Sequence, residues 1–264
     1  MADERNYLLS ETDTSAKNER LGLFEAMWDP STLSRLEKLD ISPGLRCLEV
    51  GAGRGSIAQW LSSRVGPQGR VVAADIDCRL LTGLADNVEV RNLDIRHDDL
   101  EVSAYDFVHC RALLMHLPDP VAALRRMAAA LRPGGLLLAE EGDYGLFTYS
   151  GHSDAEWVTH LSHRVFAALA AAKIMHPYLG RILPGLLMRV GLELLGSEVS
   201  GWVGRPGDPS FEFQRVSNEA AAPRLIAAGV LTESEQARVR AVMSCPSAVM
   251  TMAAGLACWA RQIS

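Results

Sequence analysis

From Leu45 to Glu141 the chain alternates short apolar runs with helical segments, and this alternation restricts its fold more than any other feature. "RCLEV", "RVVAADI", "NVEVRNLDI", "YDFVHC" and "LLLAEE" are rich in β-branched and apolar residues and too short for stable helices. "SIAQWLSSRV" and the segment from Pro120 through "VAALRRMAAAL" carry helical spacing. Turns fall at Pro43-Gly44, Gly66-Pro67 and Pro133-Gly134-Gly135. Nearly continuous apolar strands separated by helices predict a parallel sheet covered on both faces.

The flanks are more helical. "SAKNERLGLFEAMW" reads as a first helix, and Asp29-Pro30 predicts a restart, with Asp29 capping a second helix over "STLSRLEKL". After Glu141, helices are expected over "DAEWVTHLSHRVFAALAAAK" and around "PYLGRILPGLLMRV", then a strand around "ELLGSEVSGWV". A mainly helical insertion follows from "PGDPSFEFQRV" to "SCPS", with a capping box between Thr232 and Glu235. The apolar run ending in Trp259 reads as a closing buried strand.

Composition excludes several function classes. With 48% hydrophobic and 22% charged residues the 264-residue chain reads as soluble and globular, and its net charge of -6 argues against a broad basic face for nucleic acid. The polar start "MADERNYLLSETDTSAKNER" lacks a secretory h-region, and no apolar run is long enough to span a bilayer. Five cysteines without C-x-x-C spacing read as small core thiols in a reducing cytoplasm.

The stretch that carries chemistry is "CLEVGAGRGSIAQW", where Gly51, Gly53 and Gly55 follow the first strand and open a helix. Its G-x-G-x-G spacing differs from the dinucleotide fingerprint G-x-G-x-x-G, and no Gly-Lys-Ser/Thr follows as a P-loop requires. Asp75 ends the second strand, where a carboxylate can accept both hydroxyls of a ribose; a solvated strand-end acid is the alternative. In "NLDI", Asp94 could take the exocyclic amine of an adenine, with Ile76 and Ile95 on its two faces.

Together "LEVGAGRGS", "VVAADID", "NLDI", "YDFVHCRALLMHLPDP" and "LRPGGLLLAEE" resemble the class I S-adenosylmethionine-dependent methyltransferases, strongly over Leu45 to Glu141. The N-terminal "YLLS…ERLGLF…DPSTLSRLEKL" is similar to a bacterial subgroup that methylates small molecules, often in specialised metabolism. The resemblance implies a Rossmann-like, mostly parallel seven-stranded sheet with helices on both faces, N-terminal helices and helical lid insertions after strands five and six. It implies a single domain over 1–264: a helical cover (1–42), a cofactor-binding half (43–141) and a substrate-side half (142–264). S-adenosylmethionine would bind at Gly51, Gly53, Ser56, Asp75, Ile76, Asp94 and Ile95, leaving S-adenosylhomocysteine as product. Glu49 would orient the loop or reach the ligand's ammonium, which the carbonyl of Cys110 or Arg111 would also meet. Tyr7 and Arg20 would close over the methionine carboxylate.

Methyl transfer from a sulfonium is an in-line displacement, so the protein mainly aligns the nucleophile and excludes water. A base is optional. His116 in "LLMHLPDP" is the candidate, against a structural histidine at a helix start. The acceptor should lie beyond the carboxyl ends of strands four and five, near Glu140, Glu141 and Asp143. Tyr144, Phe147 and Tyr149 with Trp157 could wall a flat substrate or simply pack a lid. His152, His160, His163 and His176 lack acidic partners in a ligand spacing, so no metal is expected. The loop after strand four lacks the N/D-P-P-Y/F of enzymes that methylate nucleobase or glutamine nitrogens. A small, fairly apolar acceptor therefore fits best, aromatic or heteroaromatic and indole-type among the options, with neither nucleic acid nor membrane as partner. The rival readings are a nucleoside-binding regulator or cyclase on the same fold, and an NAD-dependent oxidoreductase, which the glycine spacing disfavours.

Overall fold

The computed structural model describes residues 13–252 and 254–263. They fall into two compact units, each built from several chain segments. Among the described residues no helix is long and apolar enough to cross a membrane.

The larger unit takes in residues 28–142, 179–200 and 255 onward. Its centre is a seven-stranded sheet ordered β3-β2-β1-β4-β5-β10-β7. β1 (Arg46–Val50), β2 (Arg70–Asp75), β3 (Val88–Asn92), β4 (Tyr105–Arg111) and β5 (Leu131–Asp143) run parallel. β7 (Leu192–Ser200) and β10 (Ala254–Gln262) pair antiparallel. The expected mostly parallel sheet is present, and the closing run is its strand β10.

The helices cover the sheet through apolar faces. α2 (Ser56–Val65) buries Ile57, Ala58, Leu61 and Val65, a helical repeat that packs with Cys47, Val71, Ala73, Phe107 and Leu138 into one core cluster. α3 (Pro120–Ala130) starts on a proline-compatible turn, with the Asp119 carboxylate accepting the Ala122 N–H at 2.9 Å. The Pro133-Gly134-Gly135 turn lies inside β5: pairing jumps from Tyr105↔Leu131 to Phe107↔Leu136, so the intervening residues bulge. At Gly135 a Cβ would stand 2.9 Å from the Arg132 carbonyl oxygen, so glycine is required there.

One expectation at the N-terminal side is corrected. α1 runs unbroken over Thr14–Lys38 with Pro30 inside it. Asp29 does not cap a second helix; its carboxylate accepts from Arg111 at 2.8 Å and Ser56 at 3.2 Å. Burial of Met27, Trp28, Thr32, Arg35 and Leu36 on both sides of the proline outweighs the backbone bond it removes.

The smaller unit takes in residues up to Met27, 143–178 and 201–254. It contains α4 (Ala155–Ala171), α6 (Pro209–Ala227) and α7 (Glu233–Met243); α5 (Leu183–Arg189) belongs to the larger unit. A three-stranded antiparallel sheet ordered β6-β9-β8 joins the helices, made of Thr148–Ser150, Val249–Thr251 and Val203–Gly204. Its strands are two or three residues long, too short for any periodicity to announce them. α7 opens on the expected capping box: the Thr232 hydroxyl accepts the Glu235 N–H and the Glu235 carboxylate accepts the Thr232 N–H. Cys47, Cys110 and Cys258 are buried free thiols, whereas Cys78 and Cys245 are only half-buried.

Candidate functional site

The glycine loop emerges from β1 at the carboxyl edge of the sheet. Gly51, Gly53 and Gly55 all take positive φ, at 77°, 60° and 86°. Their crowding is internal: a Cβ on Gly51 would lie 3.3 Å from Leu113, and one on Gly55 would lie 3.1 Å from both Leu81 and Leu84. The positive φ favours glycine at all three positions, and the leucine side chains would have to give way to a Cβ at two of them. The loop is tied to the tip of β2, because the Gly53 N–H donates to Asp75 Oδ2 at 2.8 Å. Asp75 Oδ1 accepts the Asp77 N–H at 2.9 Å, so two peptide groups fix the carboxylate beside the loop. A carboxylate oxygen can accept more than one donor. Ile76, next in sequence, is 42% exposed and offers an apolar face at that edge.

Of the adjoining predicted residues, Asp94 and Ser56 bond within the protein. Asp94 is not an open acceptor: Arg96 forks onto it, with Nε–Oδ1 at 2.9 Å and Nη2–Oδ2 at 2.7 Å. That guanidinium holds the Asp94 carboxyl below its ordinary range. Ile95 is buried rather than presented as a second face. Strand β3 stops at Asn92, two residues before Asp94. Ser56 opens α2 and donates its hydroxyl to Asp29. Tyr7 lies outside the described residues. Arg20 is a buried residue of α1 in the smaller unit.

Below the loop sits a buried polar cluster on the sheet face that α1 covers. Glu49 and His109 are register partners on β1 and β4, and Glu140 and Arg111 are register partners on β5 and β4. His109 is fully buried between two carboxylates, with Nε2 3.3 Å from Glu140 Oε2 and Nδ1 3.6 Å from Glu49 Oε1. Arg35 donates to Glu140 Oε1 at 2.6 Å and to the Ser200 hydroxyl, and Thr32 donates to Glu140 Oε2 at 2.6 Å. Arg111 bridges from Thr32 to Asp29 at 2.9 and 2.8 Å. Burial pushes the His109 imidazole down and the Glu140 carboxyl up, but their mutual bonding and the surrounding charges reverse both: His109 is raised and Glu140 lowered. Three buried atoms of the cluster have no hydrogen-bond partner: Glu49 Oε2, His109 Nδ1 and Arg35 Nε. The sequence reading took Glu49 and left out His109, Arg35 and Thr32. The available signal was a histidine at a core-facing position of the apolar strand "YDFVHC".

On the opposite sheet face, Glu141 is equally buried and is an anchor rather than a substrate contact. Its Oε1 accepts the N–H groups of Leu113 and Leu114 at 3.0 and 2.7 Å, and Oε2 accepts that of Met115 at 3.3 Å. Burial pushes its carboxyl up to about 8 despite these three donors. The turn so held contains half-buried His116, directly after β4 and Ala112, whose φ is +48°. Cys110 is buried at the end of β4, and its thiol is raised well above its ordinary value by burial and by Glu141, Glu140 and Glu49.

The aromatic residues belong to the smaller unit. Tyr144, Phe147, Tyr149 and Phe166 form one cluster with ring centroids 4.9 to 6.3 Å apart. Phe147 is fully buried and Tyr149 nearly so, which makes them core rather than substrate wall; Tyr144 is half-buried. Trp157 stands apart, stacked under Arg238 at 3.5 Å. Asp143 is buried and caps the following turn through the Gly145 N–H at 2.9 Å. His163 bonds the Phe147 carbonyl at 2.9 Å.

A sequence profile described as a methyltransferase domain matches residues 7–196. The chain is 29% identical over 169 residues to the ubiquinone biosynthesis O-methyltransferase of Xanthomonas campestris, covering 61% of each protein. It is 31% identical over 115 residues to the ubiquinone/menaquinone biosynthesis C-methyltransferase UbiE of Hahella chejuensis, covering 40% of this chain and 46% of that one. The match thus spans about half the length of these curated relatives. Among solved structures, BH2331 of Bacillus halodurans superposes with a TM-score of 0.61 at 17% identity, over 89% of this chain and all of that one, a likeness of fold.

Proposed function

Because the chain belongs to the methyltransferase-domain family, we propose that it transfers the methyl group of S-adenosylmethionine to an oxygen, nitrogen or carbon of a small aromatic or heteroaromatic metabolite. The setting we propose is cytoplasmic specialised metabolism, with neither nucleic acid nor membrane as partner. The observation that carries the reading is the Gly51–Gly55 loop locked onto Asp75, with the unpartnered Glu49 Oε2 buried at the end of the strand that feeds it. These residues fit a cationic nucleoside: a rigid strand-end carboxylate for the ribose and an unsatisfied buried acceptor for a positively charged donor. The cofactor supplies a methyl group on a positively charged sulfur, an activated leaving group.

The chain's residues bind and orient. Asp75 accepts the ribose hydroxyls while Gly53 and Asp77 hold its carboxylate still. Ile76 covers one face of the base. The turn fastened by Glu141 carries His116, which takes a proton where the acceptor atom must lose one. The relatives' names support a ring acceptor: both belong to quinone biosynthesis, one methylating oxygen and one carbon.

Calorimetric titration with S-adenosylhomocysteine tests this, with NADH in a parallel cell. Micromolar binding of the first alone is expected, and Asp75→Ala should weaken it by about 1–3 kcal/mol through loss of charge-assisted hydrogen bonds. Binding of NADH alone, or of neither, overturns the reading. Incubation of the binding-competent protein with S-adenosylmethionine and aromatic metabolites should then add the mass of one methyl group to the acceptor.

A further inference from the structure

We propose that His109 is a positioning residue that shares Glu49 with the cofactor, so that binding the ammonium group that S-adenosylmethionine and S-adenosylhomocysteine have in common expels the proton of His109. The inference rests on the methyltransferase reading and adds to it a residue that never touches the ligand. Glu49 lies between two claimants. On one side His109 Nδ1 approaches Oε1 at 3.6 Å, an ion-pair distance with no hydrogen bond completed. The other oxygen of Glu49, Oε2, is buried on the strand that feeds the loop and has no donor. A buried carboxylate so placed is satisfied by a positive charge on either side.

The charges facing His109 set the balance. From β1 comes Glu49, from β5 Glu140, from α1 Arg35 and, six residues earlier, Asp29, and from its own strand Arg111. Cys110 and Glu141, the neighbouring titratable groups on these strands, occupy the other sheet face. Glu198 of β7 approaches Arg35 Nε at 3.6 Å and is itself paired with Lys38 at the exposed rim. With His109 protonated, Arg35, Arg111 and His109 balance Asp29, Glu49 and Glu140, and the ligand-free cluster is neutral. A cation arriving at Glu49 makes the cluster positive in a low-dielectric interior, and His109 holds the proton most readily given up. Glu140 then keeps its bonds to Arg35 and Thr32 while the neutral imidazole stays wedged between the strands. The raised value of His109 agrees with a proton held before the ligand binds.

The test is calorimetric titration of the full chain with S-adenosylhomocysteine at pH about 7 to 8, in two buffers of different ionisation enthalpy. The wild type should release a fraction of one proton, and its affinity should rise with pH, up to about tenfold per unit at full release. His109→Asn should bind with the release lost and the affinity flat over the same range. Buffer-independent enthalpy in the wild type, or release that survives in the variant, overturns the proposal. Should the variant not fold, histidine ring carbon resonances of the wild type decide. The signal shielded from a soluble paramagnetic agent should move toward the neutral imidazole position on ligand addition, and an unmoved signal overturns the idea. Absence of S-adenosylhomocysteine binding at every pH instead overturns the methyltransferase reading itself.

Discussion

Glu140 and Glu141 are consecutive residues of β5, equally buried, and their carboxyl groups are shifted in opposite directions. Glu140 faces α1 and meets Arg35, Thr32 and His109; it is held ionised. Glu141 faces the other way and meets three peptide N–H groups but no cation. Both have lost their water, so burial alone cannot separate them. The difference teaches that full cationic partners hold a buried carboxylate ionised here where peptide dipoles do not. It also divides the labour at the sheet's carboxyl edge: one face holds charge beneath the glycine loop, and the other fastens the turn that carries His116.

Removing Glu140 should break the comparison at its strongest point. Glu140→Gln leaves Arg35 and His109 buried without their shared counter-charge, and loss of one partner from a buried pair costs about 3–5 kcal/mol. Chemical denaturation at neutral pH measures it as a lower midpoint at constant slope. A loss under about 1 kcal/mol would mean that the α1 face is not held by charge.

Glu141→Gln should cost less, about 1 kcal/mol near pH 6, because the amide oxygen still accepts the Leu113 and Leu114 N–H groups and only the longer Met115 bond is lost. Its pH dependence sharpens the contrast. The folded-state value of about 8 lies above the unfolded carboxylate value. Between roughly pH 4.5 and 8 the folded protein therefore holds a proton that the unfolded chain has released, and wild-type stability drains away as pH rises through that window. Glu140 has the opposite sign: its contribution is present above the ordinary carboxylate range and disappears as pH falls through its lowered value. Melting temperatures across pH should show the Glu141→Gln curve flatter than wild type and crossing it at about pH 7. Parallel curves would show that Glu141 is ionised and that the three donors dominate after all.

What could be read from the chain follows the same division. The parallel strands were legible because strands buried on both faces are continuous apolar runs, and Asp75 because it ends such a run. The unbroken helix through Pro30 was not, because the burial of Thr32, Arg35 and Leu36 against the sheet overrides a local signal that is otherwise dependable. The bond from Arg96 to Asp94 was not legible either, because a strand-end carboxylate carries no sign of which neighbour it accepts from. The His109 cluster gathers side chains more than a hundred positions apart, as with Arg35 and Glu140, and no spacing rule brings those together. In the smaller unit the sequence left the aromatic residues as either a substrate wall or packing, and Phe147 and Tyr149 fill the interior.

The smallest effect belongs to an ion pair with the same chemistry as Arg35–Glu140 but open to water. Arg240 forks onto Glu219 between α7 and α6, with Nη2–Oε2 at 2.6 Å, and the two side chains are 54% and 37% exposed. Its geometry rivals that of the buried pair, so distance alone would assign the two equal weight. Exposed pairs, however, gain little over solvation and surrender side-chain freedom. Arg240→Ala should leave the melting temperature within the scatter of repeated wild-type scans, at both low and high salt. A clear drop that salt abolishes would show that the smaller unit is also held by charge, and the contrast between buried and exposed carboxylates would then fail as an account of what fastens this protein.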